Sequence, residues 1–371
     1  MTENLRSSDD SIVRLVDDLL ARAAARRASD VHFEPGDGEL LVRFRLDGVL
    51  HDIDRLPAKL AENVVARLKV MSGLLTYRTD IPQEGAFLAG PTIRGDLPTL
   101  DIRVATFPTV RGERAAVRLM YAVGQVSGLD DLGLADATVA TLRTAAVQPH
   151  GLILVTGPAG SGKSTTLYAL ARHILSATPG RSVVSLEDPV EQRVRGMTQV
   201  QVSPHGELDY VRAMRSLLRQ DVQVLLVGEI RDDQTAHLVV QASLTGHLIM
   251  STLHSGDPAE AIARLLEMGI APYQLAGALQ VVCSQRLLRT ICRSCRGVGC
   301  DDCASTGYRG RTACAQLAQI DESLRTAILE HRPVGELRRM IAANSPDLRT
   351  DAQRLLAAGR TTPDEIRRVL G

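Results

Sequence analysis

The stretch from Gly151 to Leu175 constrains this chain more than any other. Gly151-Leu152-Ile153-Leu154-Val155-Thr156 is an apolar run of strand length. It leads directly into Gly157-Pro158-Ala159-Gly160-Ser161-Gly162-Lys163-Ser164, and a helical pattern follows over Thr165–Leu175. This is GxxxxGK[ST] in its strand–loop–helix setting. The glycines let successive backbone N–H groups converge on phosphate oxygens, and the helix N-terminus adds partial positive charge. Residues Gly157 to Thr165 are therefore expected to cradle a nucleotide's phosphates. Lys163 is placed to reach the β- and γ-phosphates, and the Ser164 hydroxyl to hold Mg²⁺. An ordinary glycine-rich turn would need neither the lysine nor the flanking elements.

Composition sharpens that reading. Only three lysines occur, Lys59, Lys69 and Lys163, so 40 of the 43 basic residues are arginine. In such a background a lysine in the phosphate loop is informative, because a compact ammonium is what a phosphate cradle uses. The 371 residues suggest two domains with their own cores, and the 43 basic and 43 acidic side chains cancel. Charge balance and 44% hydrophobic content exclude low-complexity disorder and a bulk nucleic-acid footprint. The N-terminus, MTENLRSSDD, has no signal-peptide pattern, and no apolar run approaches the ~20 residues that span a bilayer. A cytoplasmic chain is expected, attached to a membrane only through a partner, with its cysteines as thiols or metal ligands.

Two further strand-like runs end in carboxylates. Val183–Leu186 leads into Glu187-Asp188-Pro189-Val190-Glu191, and Val224–Val227 into Gly228-Glu229-Ile230-Arg231-Asp232. Ligands of open α/β sheets bind beyond the carboxyl ends of the strands, where these acids and the phosphate loop would meet. A carboxylate there can hold Mg²⁺ through water or deprotonate the attacking water. Glu229 is the first candidate and Glu187 the second. A third strand, Leu248–Thr252, is bracketed by His247 and His254, both candidates for sensing the γ-phosphate.

The N-terminal region reads as a mixed α/β domain. Ile12, Leu15, Val16, Leu19 and Ala23 give a helical stripe over Asp9–Arg27, and Ser29–Pro35 is a short strand. Val42, Phe44 and Leu46 alternate with arginines before an Asp47-Gly48 turn, which predicts a hairpin. Pro57–Met71 reads as helical, and a second hairpin follows over Ile102–Met120, turning at Arg111-Gly112-Glu113. A linker is expected at Ala122–Asp131.

Four of the six cysteines form Cys292-x-x-Cys295-x₄-Cys300-x-x-Cys303. Two CxxC pairs in a cytosolic chain offer four thiolates to one tetrahedral Zn²⁺. A redox pair is the alternative. Cys283 and Cys314 read as small buried hydrophobes. The tail from Asp321 reads as capped helices, with Thr362-Pro363-Asp364-Glu365 opening the last one.

Taken in order, GPAGSGKSTTLYAL, LEDPVE, VGEIRD and LTGHLIMSTLHSGDPAEAIARLLEMG closely resemble the ATPases that drive type II secretion and type IV pilus assembly. SDVHFEP, VRFRLDGVL, IPQEGAF and DIRVATFPTVRGERAAVRLM are similar to the sensor-like domain that precedes the motor core in that family. The resemblance implies an α/β chain with a sensor-like domain at 1–122, a linker at 123–132, a RecA-like P-loop ATPase core at 133–285, and a zinc module with C-terminal helices at 286–371. It further implies a homo-hexamer that hydrolyses ATP with Mg²⁺, reorients its N-terminal and core domains, and works on an inner-membrane platform protein. Arg103, Arg114 and Arg118 match arginines that stabilise charge on the γ-phosphate. The four-cysteine module followed by TGYRGR also matches, although its pairs stand closer together than is usual there, and retraction-type pilus ATPases generally lack it.

The chain departs from the family pattern in Val222-Gln223, where Pro-Asp is usual, and in Gln316, where glutamate is usual. Many members carry an extra N-terminal docking domain, and the resemblance leads to the expectation that this chain lacks it. Two alternatives follow: a nucleotide-binding regulatory subunit with weak turnover, and a RecA-like nucleic-acid motor. The neutral charge and scarce aromatics oppose the second.

Overall fold

The computed structural model describes residues 2–97, 100–121, 128–203, 206 and 208–371. They fall into two compact units, Met1–Val123 with Cys292–Arg309, and Gly124–Ile291 with Gly310–Gly371. The four-cysteine segment therefore groups with the first unit, whereas its place in the chain suggested the C-terminal helices. The physical reason is packing, since Ala304 lies against the hydrophobic core of the N-terminal sheet. Of the expected linker, residues 122–127 lie outside the described residues.

The first unit is built on six antiparallel strands, β1 (Asp30–Pro35), β2 (Glu39–Leu46), β3 (Val49–Pro57), β4 (Gln83–Leu88), β5 (Leu100–Thr109) and β6 (Gly112–Tyr121). Their order is β3-β2-β1-β6-β5-β4. Strand alternation puts Val31, Phe33, Val42, Phe44, Ile102, Val104 and Val117 on one buried face. Helix Thr2–Ala25 covers it with Val16, Leu19, Leu20 and Ala23, and helix Ala61–Met71 with Val64, Val65 and Leu68. Each such Val, Leu, Ile or Phe side chain taken from water contributes about 1.5–3 kcal/mol. Both predicted hairpins are present. The strand β4 was not anticipated, because its inward positions are Gln83, Gly85 and Phe87, of which only Phe87 is a large apolar residue. Lys69 is fully buried, and its ammonium lies 2.6 Å from Glu113 and donates to the Arg78 carbonyl at 2.8 Å.

The second unit carries a seven-stranded sheet, ordered β13-β12-β7-β11-β10-β8-β9. Its strands are β7 (Gly151–Thr156), β8 (Val183–Glu187), β9 (Thr198–Gln201), β10 (Val224–Val227), β11 (Leu248–Leu253), β12 (Leu279–Ile291) and β13 (Tyr308–Gln319). From β12 through β9 every neighbouring pair is parallel. Leu152 and Leu154 point into one hydrophobic cluster and Ile153 and Val155 into another, so β7 is buried on both faces. That explains its unbroken apolar run. Parallel pairing brings the C-termini of those six strands to one edge of the sheet. Helices Glu322–Leu329, Val334–Asn344, Leu348–Ala357 and Pro363–Leu370 complete the unit. Asp321 and Thr362 cap the first and last of them, as expected. Cys283 and Cys314 are both buried, and burial pushes their thiols up to about 12.

Candidate functional site

The phosphate loop leaves the C-terminal edge of β7 and enters helix Lys163–Ala177. Gly162, at φ +89° immediately before that helix, occupies the left-handed region that glycine adopts without strain. Lys163 is 9% exposed, and its Nζ donates to the carbonyls of Gly157 (2.9 Å) and Pro158 (3.1 Å) across its own loop. Burial lowers its pKa, and Arg286 adds to that effect while Glu229 and Glu191 oppose it. Ala159, Lys163 and Ser164 form one wall of a cleft whose other wall carries Glu187, Asp188, Glu229 and His254.

The opposite wall is assembled by strand register. Val227 pairs with Leu186 on one side and Ser251 on the other, so the C-terminal ends of β8, β10 and β11 lie within about two residues of one another at one edge. The Gly228 N–H then donates to the Leu186 carbonyl at 2.8 Å, and the Thr252 hydroxyl to the Gly228 carbonyl at 2.8 Å. These bonds hold the peptide that precedes Glu229.

The two candidate glutamates occupy different environments. Glu187 is 5% exposed and accepts hydrogen bonds from the Tyr168 hydroxyl, the Ser185 hydroxyl and the Gln199 amide (3.1 Å). Its lone pairs are largely committed to holding β8, β9 and helix Lys163–Ala177 together. Glu229 stands in the open part of the cleft, paired with Arg231 and with His254, whose Nε2 is 3.5 Å away. Arg231 also reaches Asp188 at 3.5 Å. Tyr168, Ser185, Gln199 and Arg231 were not anticipated as site residues. Arg231 lies inside the VGEIRD string and could have been noticed, and Ser185 stands two residues before Glu187 on the same face of β8; Tyr168 and Gln199 meet Glu187 only through tertiary packing.

The histidines separate as well. His254 follows β11 and lines the cleft. His247 precedes β11, and its Nδ1 lies 3.2 Å from the Ala242 carbonyl. The six residues of β11, at about 3.3 Å each, set it at the far edge of the sheet from the phosphate loop. The expected sensing role of His247 is therefore corrected: a parallel sheet has one ligand-binding edge, and His247 is on the other.

Arg103, Arg114 and Arg118 all project from the exposed face of the first unit's sheet, on β5 and β6. Arg118 pairs with Asp30 at 3.0 Å. Arg114 reaches Glu34 at 2.9 Å and His32 Nδ1 at 3.1 Å. Arg103 stands opposite Arg118 in the β5–β6 register.

The four cysteine sulfurs lie within 4.8 Å of one another. Three of the separations are 3.9 Å (Cys292–Cys300), 3.7 Å (Cys295–Cys303) and 3.8 Å (Cys300–Cys303). A ZnS₄ tetrahedron with Zn–S bonds of 2.3 Å has edges of about 3.8 Å, so the donor set fits zinc. Backbone N–H groups of Gly299 and Gly307 donate to Cys295 and Cys303 at 3.2 and 3.3 Å, which favours thiolates. Two turns create this geometry. The first passes through Arg296 and Gly297, the second through Ala304 and Ser305, all at positive φ.

A family model described as Type II/IV secretion system protein matches residues 6–368. The chain is 40% identical over 400 residues to type II secretion system protein E of Dickeya dadantii (strain 3937), covering 100% of this chain and 79% of that protein. It is 38% identical over 393 residues to type II secretion system ATPase E of Vibrio cholerae serotype O1, covering 98% and 76%. Among solved structures, the ATPase DotB of Legionella pneumophila aligns with a TM-score of 0.73 at 21% identity, over 95% of this chain and 94% of that one. The pilus retraction motor PilT with bound ADP aligns with a TM-score of 0.64 at 23% identity, over 92% and 93%. At those identities the structural likeness is one of fold, and the fold is the RecA-like one the resemblance implied.

Proposed function

The chain belongs to the type II/IV secretion system protein family, and from that premise we propose that it is an ATP-hydrolysing motor subunit for type II secretion or type IV pilus assembly. The observation that carries the proposal is one cleft that joins Lys163 and Ser164 of the phosphate loop to the open carboxylate of Glu229. The converging N–H groups of residues 157–165 bind the phosphates, and Lys163 exchanges its loop carbonyls for β- and γ-phosphate oxygens. The Ser164 hydroxyl would hold Mg²⁺, which would supply charge neutralisation of the phosphates when bound. Glu229 orients and deprotonates the attacking water, and His254 sets the direction of that carboxylate. Glu187 supports the wall on which Asp188 and Glu229 stand. Arg103, Arg114 and Arg118 supply positive charge for the γ-phosphate, as the family resemblance implies. Cys292, Cys295, Cys300 and Cys303 hold a structural Zn²⁺.

The working form in this reading is a cytoplasmic homo-hexamer, peripheral to the inner face of the membrane through a platform protein, with turnover reorienting its two units. Among the described residues, no helix is long and apolar enough to cross a membrane. The weak-turnover alternative draws little support from the site. Val222 is buried in the core and Gln223 accepts from the Ser182 N–H, both at the amino edge of the sheet, away from the cleft. The test compares ATP turnover of the chain with that of Lys163→Ala. A loss on the order of a hundredfold or more is expected, and equal rates overturn the reading. Native mass spectrometry with nucleotide reports the ring, and a chain that stays monomeric overturns the hexamer.

A further inference from the structure

β12 runs beside β7 in parallel register, with Ser284 opposite Thr156. The next residue, Gln285, therefore sits against the start of the phosphate loop. Its side chain is 1% exposed. Oε1 accepts from the Thr166 hydroxyl at 2.8 Å, and Nε2 donates to the Ser161 carbonyl at 2.7 Å. The amide orientation is fixed chemically, because a carbonyl can only accept and so must face the NH₂ group. A Cβ at Gly157 would meet the main-chain carbonyl oxygen of Gln285 at 2.6 Å, and one at Gly162 would meet its side-chain Nε2 at 3.0 Å. Two loop glycines thus pack directly on this residue. Gln285 does not line the cleft, where the nucleotide would bind.

We propose that Gln285 is a positioning residue for the phosphate loop, tying its middle (Ser161) to the first turn of the following helix (Thr166). The inference rests on the nucleotide-binding reading of that loop. Convergent N–H groups bind phosphate well only if their peptide planes are fixed beforehand, and a loop with glycines at 157, 160 and 162 loses much backbone entropy when ordered. One amide that bonds both a loop carbonyl and a helix hydroxyl removes that freedom before nucleotide arrives. The same stretch in the middle of β12 also holds the loop behind His254, since Ser284 and Arg286 both donate to the Gly256 carbonyl, at 3.2 and 2.8 Å. β12 thereby fixes both loops that flank the cleft.

The test uses the full chain with Gln285→Met, which keeps length without hydrogen bonds, and Thr166→Val, which removes one of the two bonds. Amide hydrogen exchange is read without nucleotide, binding with a fluorescent ADP analogue, and turnover across ATP concentrations. Losing a buried hydrogen bond of this kind is worth about tenfold in affinity. Gln285→Met should weaken ADP binding by about that factor and raise KM more than it lowers kcat. It should also accelerate exchange at 157–163 while leaving β10 and β11 protected, with Thr166→Val showing the same pattern to a smaller extent. Binding and exchange within about twofold of the unmodified chain in both variants, or equal acceleration across the whole sheet, overturns the proposal. If the unmodified chain binds ADP but hydrolyses no ATP, the motor reading fails while the exchange measurement still reads the brace.

Discussion

The Nε2 of His254 stands 3.5 Å from a carboxylate oxygen of Glu229, although 24 positions of chain separate them. Adjacent parallel strands bring their ends to one edge, and so place the two side chains together over the cleft. If Glu229 is the general base, Glu229→Gln lowers kcat by about 10²- to 10⁴-fold while nucleotide affinity changes little. His254→Ala has a smaller effect, because it loosens the base without removing it. Steady-state turnover and nucleotide titration check both outcomes, and unimpaired turnover in Glu229→Gln refutes the assignment.

Glu187 carries a different expectation. Replacing it with alanine strands the donors of Tyr168, Ser185 and Gln199, each at about 1–3 kcal/mol when buried. Glu187→Ala should therefore lower unfolding stability in urea, whereas Glu229→Gln should leave it nearly unchanged. Tyr168→Phe removes one donor to Glu187 and the acceptor that the Glu191 and Gln192 N–H groups use at 3.3 Å each, and should cost about 1 kcal/mol or more. Equal stability for Glu187→Ala and the parent chain would show that its hydrogen bonds are not structural.

Metal analysis of the purified chain should find about one zinc per chain, the stoichiometry of a four-thiolate site. Cys295→Ser removes one thiolate and should release most of it. Because the cysteine segment groups with the first unit, the loss should raise protease sensitivity there, around residues 292–309 and the N-terminal sheet. Full zinc content in Cys295→Ser would refute the site.

Glu365 supplies a pH test. It is fully buried and bonded to Arg289 (2.8 Å) and Arg368 (2.6 Å), which joins the last helix to β12. Burial alone would raise its pKa, but the hydrogen bonds from Arg368 and Arg289 outweigh it and hold the carboxyl below its ordinary 4.5. The stability this pair contributes is complete above that ordinary value and is lost as pH falls through the lower folded one. Glu365→Gln should be destabilised by about 3 kcal/mol near neutral pH, and the difference from the parent should shrink on acidification. Denaturant unfolding at several pH values reads this, and a pH-independent difference would contradict it.

What the sequence determined by itself was local chemistry. The phosphate loop and the cysteine pairs are legible because their function requires particular residue types at fixed short spacings. The buried strands β7, β8, β10 and β11 are legible because burial on both faces demands runs that are wholly or mainly apolar. Tertiary structure decided which of several chemically equal residues are where chemistry can occur. Lys69 and Lys163 were both rare lysines, but one is closed in an ion pair with Glu113 and the other lies in the cleft. Glu187 and Glu229 both follow strand-like runs, yet buried donors from three elements close round the first, while the second faces the cleft beside Arg231 and His254. His247 and His254 both flank β11, and strand direction alone puts them on opposite edges. Gln285 carried no signal, since its partners Ser161 and Thr166 lie more than a hundred residues away. The physical reason is common to all four: spacing along the chain encodes backbone geometry, whereas the environment of a side chain is set by residues the fold brings to it.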